Sequence, residues 1–393
     1  MSKEKIKVAI IGTGNCAKSL VEGVQYYTAN TEETSGMMRS VIGGYKAENI
    51  EFVCGFDIDE RKVNMPLGEA LKAKPNCSWN IVEKIESKVP VYEAPVIDGY
   101  AGLMDKYPED NRFLVSEALR NTTDMNRVAW TQKLEDTWKA KIKEYLVKHD
   151  VEILINYLPV GSQKTTEFWA EICLETGISF VNCIPVFIAS DPKWEQRFID
   201  AGIPLIGDDM KSQYGASIVS QVLQELAFSR GHHVECHVQR NVGGNTDFLN
   251  MEDKARLASK KISKENVIRS QNDIRGISTD DSFLHAGPSE YISYYGDNKI
   301  ADFHLELKGF GGAPVTLHAK LSVQDSPNSA GVVIDAVRYL RVAREMGIVG
   351  ALRGPSAFTQ KTPPKQMMLA DVMEECEALA NRKLTEITKK QVK

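Results

Sequence analysis

The sequence predicts an α/β protein, a Rossmann-type doubly wound, mostly parallel sheet with an inserted α+β domain. Three observations predict it. An apolar run over residues 6–11 leads through a glycine turn into an amphipathic stretch, and strand-like runs alternate with helix-like ones from about residue 132 to 206. After residue 233 the texture changes to regular apolar–polar alternation.

The run IKVAII is short, apolar and closed by Gly12, which suits a buried strand, and residues 17–27 place Leu20, Val21 and Val24 on one helical face. A polar, glycine-containing stretch over 28–49 separates this helix from a second buried-type strand, 52–56, which ends at Asp57. Residues 132–149 set Leu134, Trp138, Ile142, Tyr145 and Leu146 at helical spacing, and VEILINYLP follows as a strand. The unit repeats with a helix around 164–176, a strand over 178–183, a helix around 193–201 and a strand over 204–206. Strands and helices of these lengths in alternation imply a parallel sheet covered on both faces.

The stretches VECHVQRN, KIADFHLELKGF and PVTLHAKLSVQ alternate apolar and polar residues, as antiparallel strands with one wet face do. A helix returns over 329–346, and the last 45 or so residues read as helical and polar. The expected division is a first domain of residues 1–210 completed by 327–393, with a second, α+β domain over 211–326.

With 393 residues, 42% apolar and 26% charged, the composition is that of an ordinary globular protein and not of a disordered chain. A net charge of -5 argues against a polyanion such as nucleic acid as the main partner, so any grip on an anion must be local. No run of about 18 apolar residues is present to span a membrane, and the opening MSKEKIKVAIIG lacks a signal-type apolar region. Seven cysteines without a Cys-x-x-Cys pair suit reduced thiols in a cytoplasmic protein. Among the seven histidines only His233 and His237 have His-x-x-x-His spacing, and they border a strand-like alternating stretch that would hold them too far apart to share an ion, which disfavours a histidine-built zinc site and leaves a harder cation open.

Gly12-Thr13-Gly14-Asn15-Cys16-Ala17 matches the Gly-x-Gly-x-x-Ala fingerprint in its strand–turn–helix context. Gly12 permits the tight turn, Gly14 lets backbone approach a pyrophosphate, Ala17 allows close helix packing, and the phosphates rest on the helix N-terminus. Asp57 closes the next strand, where a carboxylate can bond the adenosine ribose and disfavour the extra phosphate of NADP, so NAD is the expected cofactor. Ala17 and Asp57 are about twice as far apart as is usual, which requires 28–49 to be a loop insertion. A plain tight turn and a strand-end cap would account for the same residues without a cofactor.

Three clusters follow. GDDMKSQYGAS, 207–217, sets two acids, a lysine and a serine between a strand and a helix, where open α/β sheets place ligands, although Asp208 and Asp209 could equally be caps. RNVGGNTDFLNMEDKARLASKKISKENV, 240–267, frees the backbone at Gly243 and Gly244 beside Asn241, Asn245 and Asp247. It then gathers Lys260, Lys261 and Lys264, a run that by spacing alone is a solvated face. In SVQDSPNSAGVVID, 322–335, Asp325 and Ser326 end a strand and Ser329 opens a helix, which capping alone explains. Lys299 and Lys361 pass as surface residues by themselves.

The strings GTGNCAKSLVEGVQYY, LPVGS, FVNCIPVFIASDP, GDDMKSQ, NVGGNTDFLNM, SKKISK and DSPNSAGVVIDAVR together resemble inositol-3-phosphate synthases, particularly the shorter actinobacterial and archaeal type. The resemblance runs in order along nearly the whole chain. It implies Lys260, Lys264, Lys299 and Lys361 as active-site lysines with Asp209 beside them, and Ser212, Asn241 and Asn245 as substrate contacts, with Asp247 a weaker carry-over. It implies a cofactor pocket of Gly12, Thr13, Gly14, Asn15, Cys16, Ala17, Asp57, Ser162, Asn182, Pro185, Asp325 and Ser326, with a divalent or monovalent cation near the nicotinamide at Asp325 and Ser326. It further implies glucose 6-phosphate as substrate, NAD recycled within each turnover, a homotetramer built through the α+β domain, and neither a nucleic acid nor a membrane as partner. Two other readings share the first domain: a sugar-phosphate dehydrogenase that releases NADH, and a non-catalytic NAD sensor. An aldehyde dehydrogenase would need a reactive thiol, and Cys183, within an apolar strand, is better read as an inert core residue.

Overall fold

Among the residues described by the structure, a computed structural model covering 4–116, 119, 130–276 and 284–392, the strands form two sheets. The side chains of residues 257–261, 263, 264, 267, 271, 274 and 289 also lie outside that description. The first sheet contains β1 (Ile6–Ile11), β2 (Ile50–Asp57), β3 (Val91–Glu93), β4 (Ile153–Asn156), β5 (Ser179–Asn182), β6 (Pro204–Ile206) and β11 (Gly350–Ala351). Its order is β3-β2-β1-β4-β5-β6-β11, with every pairing parallel. Strands β4, β5 and β6 are buried at every residue, as a sheet layered on both sides demands. The order reverses direction between β1 and β4, so a crevice opens beyond their carboxyl ends.

The covering helices begin and end where their chemistry dictates. Helix α1 (Asn15–Ala29) follows the glycine turn, and α2 (Gln132–Lys148) is capped by Thr131, whose hydroxyl accepts from the Leu134 N–H at 3.3 Å. Helix α3 (Gln163–Thr176) ends at Gly177 and α4 (Pro192–Ala201) at Gly202, both left-handed with φ of 72° and 76°. Asp191 caps α4 with Pro192 in its first turn. No helix is long and apolar enough to cross a membrane among the described residues.

The second sheet has the order β10-β9-β7-β8, from β7 (His233–Gly243), β8 (Leu284–Tyr291), β9 (Asn298–Lys308) and β10 (Pro314–Gln324). Strand β9 runs antiparallel to β7 and β10, as alternation in those three segments predicts. Strand β8, LHAGPSEY, is parallel to β7 and is not anticipated, because Gly287 and Pro288 weaken a strand reading; they are tolerated at the sheet's edge. Parallel pairing requires a crossover, which α6 (Thr246–Asn250) and α7 (Lys254–Ile274) supply. Helix α5 (Ala216–Ser229) covers one face, over Ala301, Phe303 and Leu305, while β10 leaves alternate residues exposed.

From β10 the chain passes into α8 (Asp325–Glu345), which packs on α1 and is buried along nearly all of its length. The helix starts four residues before the predicted point, so Asp325 and Ser326 form its first turn instead of ending a strand. Arg338, fully buried in α8, donates to the carbonyls of Arg39, Ser40 and Tyr45 at 2.8–3.3 Å and to Asp335 Oδ1 at 2.5 Å. One side chain thereby pins the loop insertion that sequence spacing demanded between α1 and β2. Helices α9 (Arg353–Thr359) and α10 (Leu369–Ala380) finish the C-terminal layer, and β11 extends the first sheet beyond β6.

Arg338→Met should leave the buried Asp335 carboxylate without its counter-charge and the Arg39 and Ser40 carbonyls without this donor. Removal of one partner from a buried pair costs about 3–5 kcal/mol, so the urea midpoint should fall steeply with little change in the denaturant slope.

Candidate active site

Strand β1 delivers the chain to Gly12 at φ 84°, where a Cβ would stand 2.8 Å from the Tyr157 carbonyl oxygen. Nothing lies within 4 Å of where a Cβ on Gly14 would be, and no side chain caps α1. The first-turn N–H groups therefore border open space, a cradle that fits a pyrophosphate. Thr13 faces away from it: its N–H and Oγ1 both donate to Asp57 Oδ2, at 2.7 and 2.5 Å. Asp57 Oδ1 accepts from the N–H groups of Ile58 and Asp59, at 2.7 and 2.9 Å. Burial pushes the Asp57 carboxyl up, but the charge of Lys62 and the hydrogen bonds from Thr13 and Asp59 outweigh it and leave it below the usual range.

Asp57 thus lines the cleft while bracing the glycine turn. Lys62, which the sequence did not single out, is buried beside it and donates to Thr13 O at 2.8 Å and Asn76 Oδ1 at 2.9 Å. Asn15 Oδ1 accepts from the N–H groups of Cys77 and Ser78, and Lys18 Nζ donates to the carbonyls of Ser78 and Trp79. Residues 76–79 are bolted across α1 by partners some sixty positions away.

The second sheet and the start of α8 supply the opposite wall. Lys299 on β9 is ion-paired with Asp325, and both line the cleft with Ser326, Asn241, Asn245 and Asp247. Asp297, another residue without a sequence signal, is buried behind them. Its carboxylate accepts from Asn245 Nδ2 at 3.1 Å, Ser326 N at 3.0 Å and Ser326 Oγ at 2.7 Å. Burial and the neighbouring Asp325 push it up to about 6. Asn245 also caps α6 through the N–H groups of Asp247 and Phe248.

A third piece comes from the C-terminal layer. Lys361 lines the cleft and donates from Nζ to Asp209 Oδ1 at 3.0 Å and Met210 O at 2.5 Å. Backbone bonds run on either side: Lys361 N to Asp209 O, Lys211 N to Thr359 O, and Asp208 and Thr362 reciprocally. Asp209 is left-handed at φ 62°. Its neighbour Asp208 points away and accepts from the N–H groups of Ile188, Ala189 and Ser190, from Ser190 Oγ and from Asn182 Nδ2. The two acids that local spacing leaves alike have different places, Asp208 in the core and Asp209, the one that the resemblance singled out, on Lys361.

Gly12, Gly14, Asn15, Cys16, Asp57, Ser212, Asn241, Asn245, Asp247, Lys299, Asp325, Ser326 and Lys361 all line one cleft. Thr13, Ala17, Ser162, Asn182, Pro185 and Asp209 are buried behind its surface; Ser162 Oγ donates to Pro159 O, and Asn182 bonds Asn156, Val186 and Asp208. Lys260 and Lys264 fall on α7, and their side chains lie outside the described residues. Among the described residues no group of three His, Cys, Asp or Glu is arranged to hold a metal ion. Asp325 is engaged by Lys299 and Ser326 Oγ by Asp297, so a cation there would compete with both. Burial raises the Cys183 thiol well above its ordinary value, consistent with an inert residue.

The family model described as Myo-inositol-1-phosphate synthase matches residues 215–326, which contain the whole second sheet. An inositol-3-phosphate synthase of Mycolicibacterium smegmatis is 40% identical over 366 residues, covering 92% of this chain and 94% of its own. One from Corynebacterium glutamicum is 41% identical over 371 residues, covering 93% and 96%. The chain belongs to the inositol-3-phosphate synthase family. A myo-inositol-1-phosphate synthase-related protein from Thermotoga maritima shares the synthase fold at a TM-score of 0.78 and 24% identity, covering 97% of this chain and 100% of that one. Inositol-3-phosphate synthase from Caenorhabditis elegans does so at 0.69 and 17%, covering 99% and 88%.

Behind the synthase cleft, Lys211 Nζ is buried and donates to Ala357 O at 2.7 Å. Burial and the nearby Lys361 push it down from 10.5 to about 8. The unfolded chain therefore binds the extra proton between those values, and folding stability should rise as pH climbs through that window and be flat below it. Urea unfolding at pH 7.5 and 9.5 should show this gain in the native protein and lose it in Lys211→Met.

Proposed function

We propose that the cleft converts D-glucose 6-phosphate to 1D-myo-inositol 3-phosphate, with NAD lying along the glycine turn and the N-terminus of α1. The observation that carries this reading is that Lys299 and Lys361, from different layers of the fold, line the same cleft as Gly12 and Gly14. NAD, when bound, supplies the oxidation of C5 and its later re-reduction. Gly14 gives it backbone access, and the Asp57–Thr13 brace holds the turn in shape.

The sugar cannot close its carbon ring directly because C6 is not nucleophilic. Next to a ketone at C5 the C6 hydrogens become acidic, and loss of one proton gives an enolate whose C6 bonds to C1. Negative charge then grows first on the C5 oxygen and next on the C1 oxygen, so preorganised cations are what the reaction needs. Lys361 and Lys260 serve the C5 oxygen, Lys299 acts near the C1 oxygen, and Lys264, Ser212 and Asn241 hold the phosphate. Asp209 and Asp325 orient the two amines that they pair with. The division we propose at 210/211 and 326/327 is supported by the strands of the first sheet lying within 6–206 and 350–351 and those of the second within 233–324, and the assembly we propose is a cytoplasmic homotetramer formed through the 211–326 domain. No step is assigned to a cation.

Purified protein given glucose 6-phosphate and NAD should form inositol phosphate with no build-up of NADH absorbance. Net NADH would mean a dehydrogenase, and neither signal a sensor. Lys299→Ala and Lys361→Ala should each lower turnover by on the order of 100-fold, as loss of one charge-stabilising donor does, with NAD binding retained in calorimetric titration.

A further inference from the structure

Strand β7 turns His237, Gln239 and Asn241 to one face, since alternate strand residues share a side. All three are at least 98% buried, and Ser220 of α5 is fully buried against them. They form a continuous file: His237 Nε2 to Ser220 Oγ at 3.0 Å, Ser220 Oγ to Gln239 Oε1 at 2.8 Å, Gln239 Nε2 to Asn241 Oδ1 at 3.0 Å, and Asn241 Nδ2 to Gly287 O at 3.0 Å. Gln239 and Asn241 line the cleft; His237 and Ser220 do not.

The far end sets the polarity. A backbone carbonyl only accepts, so Asn241 must turn its NH2 toward Gly287 and its oxygen toward Gln239. Gln239 must then offer its NH2 to Asn241 and its oxygen to Ser220. The serine hydroxyl is committed as a donor, and its lone pair can be met only by a His237 ring protonated at Nε2. His237 Nδ1 is buried without a partner, so a second proton has nowhere to be solvated, and burial pushes the ring down to about 4. The file therefore keeps one direction at neutral pH. Each amide spends one N–H within it, and each retains one more.

We propose that Gln239 is a further substrate-binding residue, which together with Asn241 presents two amide N–H donors to an anionic oxygen of the sugar phosphate. Ser220 and His237 are positioning residues that prevent the Gln239 amide from flipping and offering its carbonyl to that anion. The identity of the ligand rests on the function proposed above; the donor polarity does not.

The test measures KM for glucose 6-phosphate, inhibition by inorganic phosphate and NAD affinity in Gln239→Glu, Gln239→Leu, Ser220→Ala and Ser220→Thr. Gln239→Glu and Gln239→Leu should raise KM and the phosphate inhibition constant about tenfold or more, the loss expected for a hydrogen bond to a charged group, with NAD affinity unchanged. Ser220→Ala should raise KM with little effect on kcat, and Ser220→Thr, which keeps the hydroxyl, should restore it. Unchanged phosphate inhibition in the Gln239 variants, or a threonine no better than alanine, would overturn the inference. If a Gln239 variant loses NAD binding as well, the Ser220 pair decides. If the native protein makes no inositol phosphate but the variants still weaken phosphate titrations, the reaction assignment fails and the anion grip stands.

Discussion

The bond between Lys361 and Asp209 joins residues 152 positions apart, and the cleft depends on it. Without that bond nothing aims the Lys361 amine along the third wall, and the buried Asp209 carboxylate loses its counter-charge. An isolated buried ion pair rarely repays its desolvation. Here backbone bonds on both sides fix the geometry in advance, so the ammonium and carboxylate meet without further ordering. The seam in turn requires the chain to come back to the first sheet, which α8 accomplishes by burying almost its whole circumference against α1 and the strands.

Around the cleft the same motif recurs, an amine set against a carboxylate: Lys361 with Asp209, Lys299 with Asp325, and Lys62 near Asp57. In a chain of net charge -5 these pairs create a local site for anions without a basic surface. Each carboxylate lowers the cost of holding a lysine in a partly buried place and fixes where its Nζ points. Such fixed donors need little rearrangement when charge develops on a bound sugar, which is why their arrangement matters more than their number.

Much of the fold was legible because periodicity and glycine chemistry act locally. Strand β1, the glycine turn and α1 come from one continuous stretch, and Gly177 and Gly202 end α3 and α4 close to where the pattern stops. Strand β8 hid behind Gly287 and Pro288, and β3 and β11 are too short to carry a period. The cleft was less legible for a different reason. Lys299 and Lys361 sit in unremarkable polar surroundings in the sequence, and only family resemblance separated them from surface lysines. Asp297, Lys62 and Gln239 owe their roles to partners in distant segments or across a strand, a relationship no spacing rule encodes. The strand-end cap weighed for Asp57 covers its bonds from the N–H groups of Ile58 and Asp59, whereas its two donors on Thr13 lie 44 residues earlier, beyond any local rule.

The central claim is spatial: amines from separate layers of the fold act on one sugar phosphate beside the glycine turn. A crystal structure with NAD and glucitol 6-phosphate, which lacks the reactive aldehyde, tests it most directly. The account predicts that Nζ of Lys299 and Nζ of Lys361 both lie within hydrogen-bond distance of the same ligand molecule, its phosphate on the second-sheet side. A ligand held by only one of these lysines, or bound away from the cleft of Gly12 and Gly14, would contradict it.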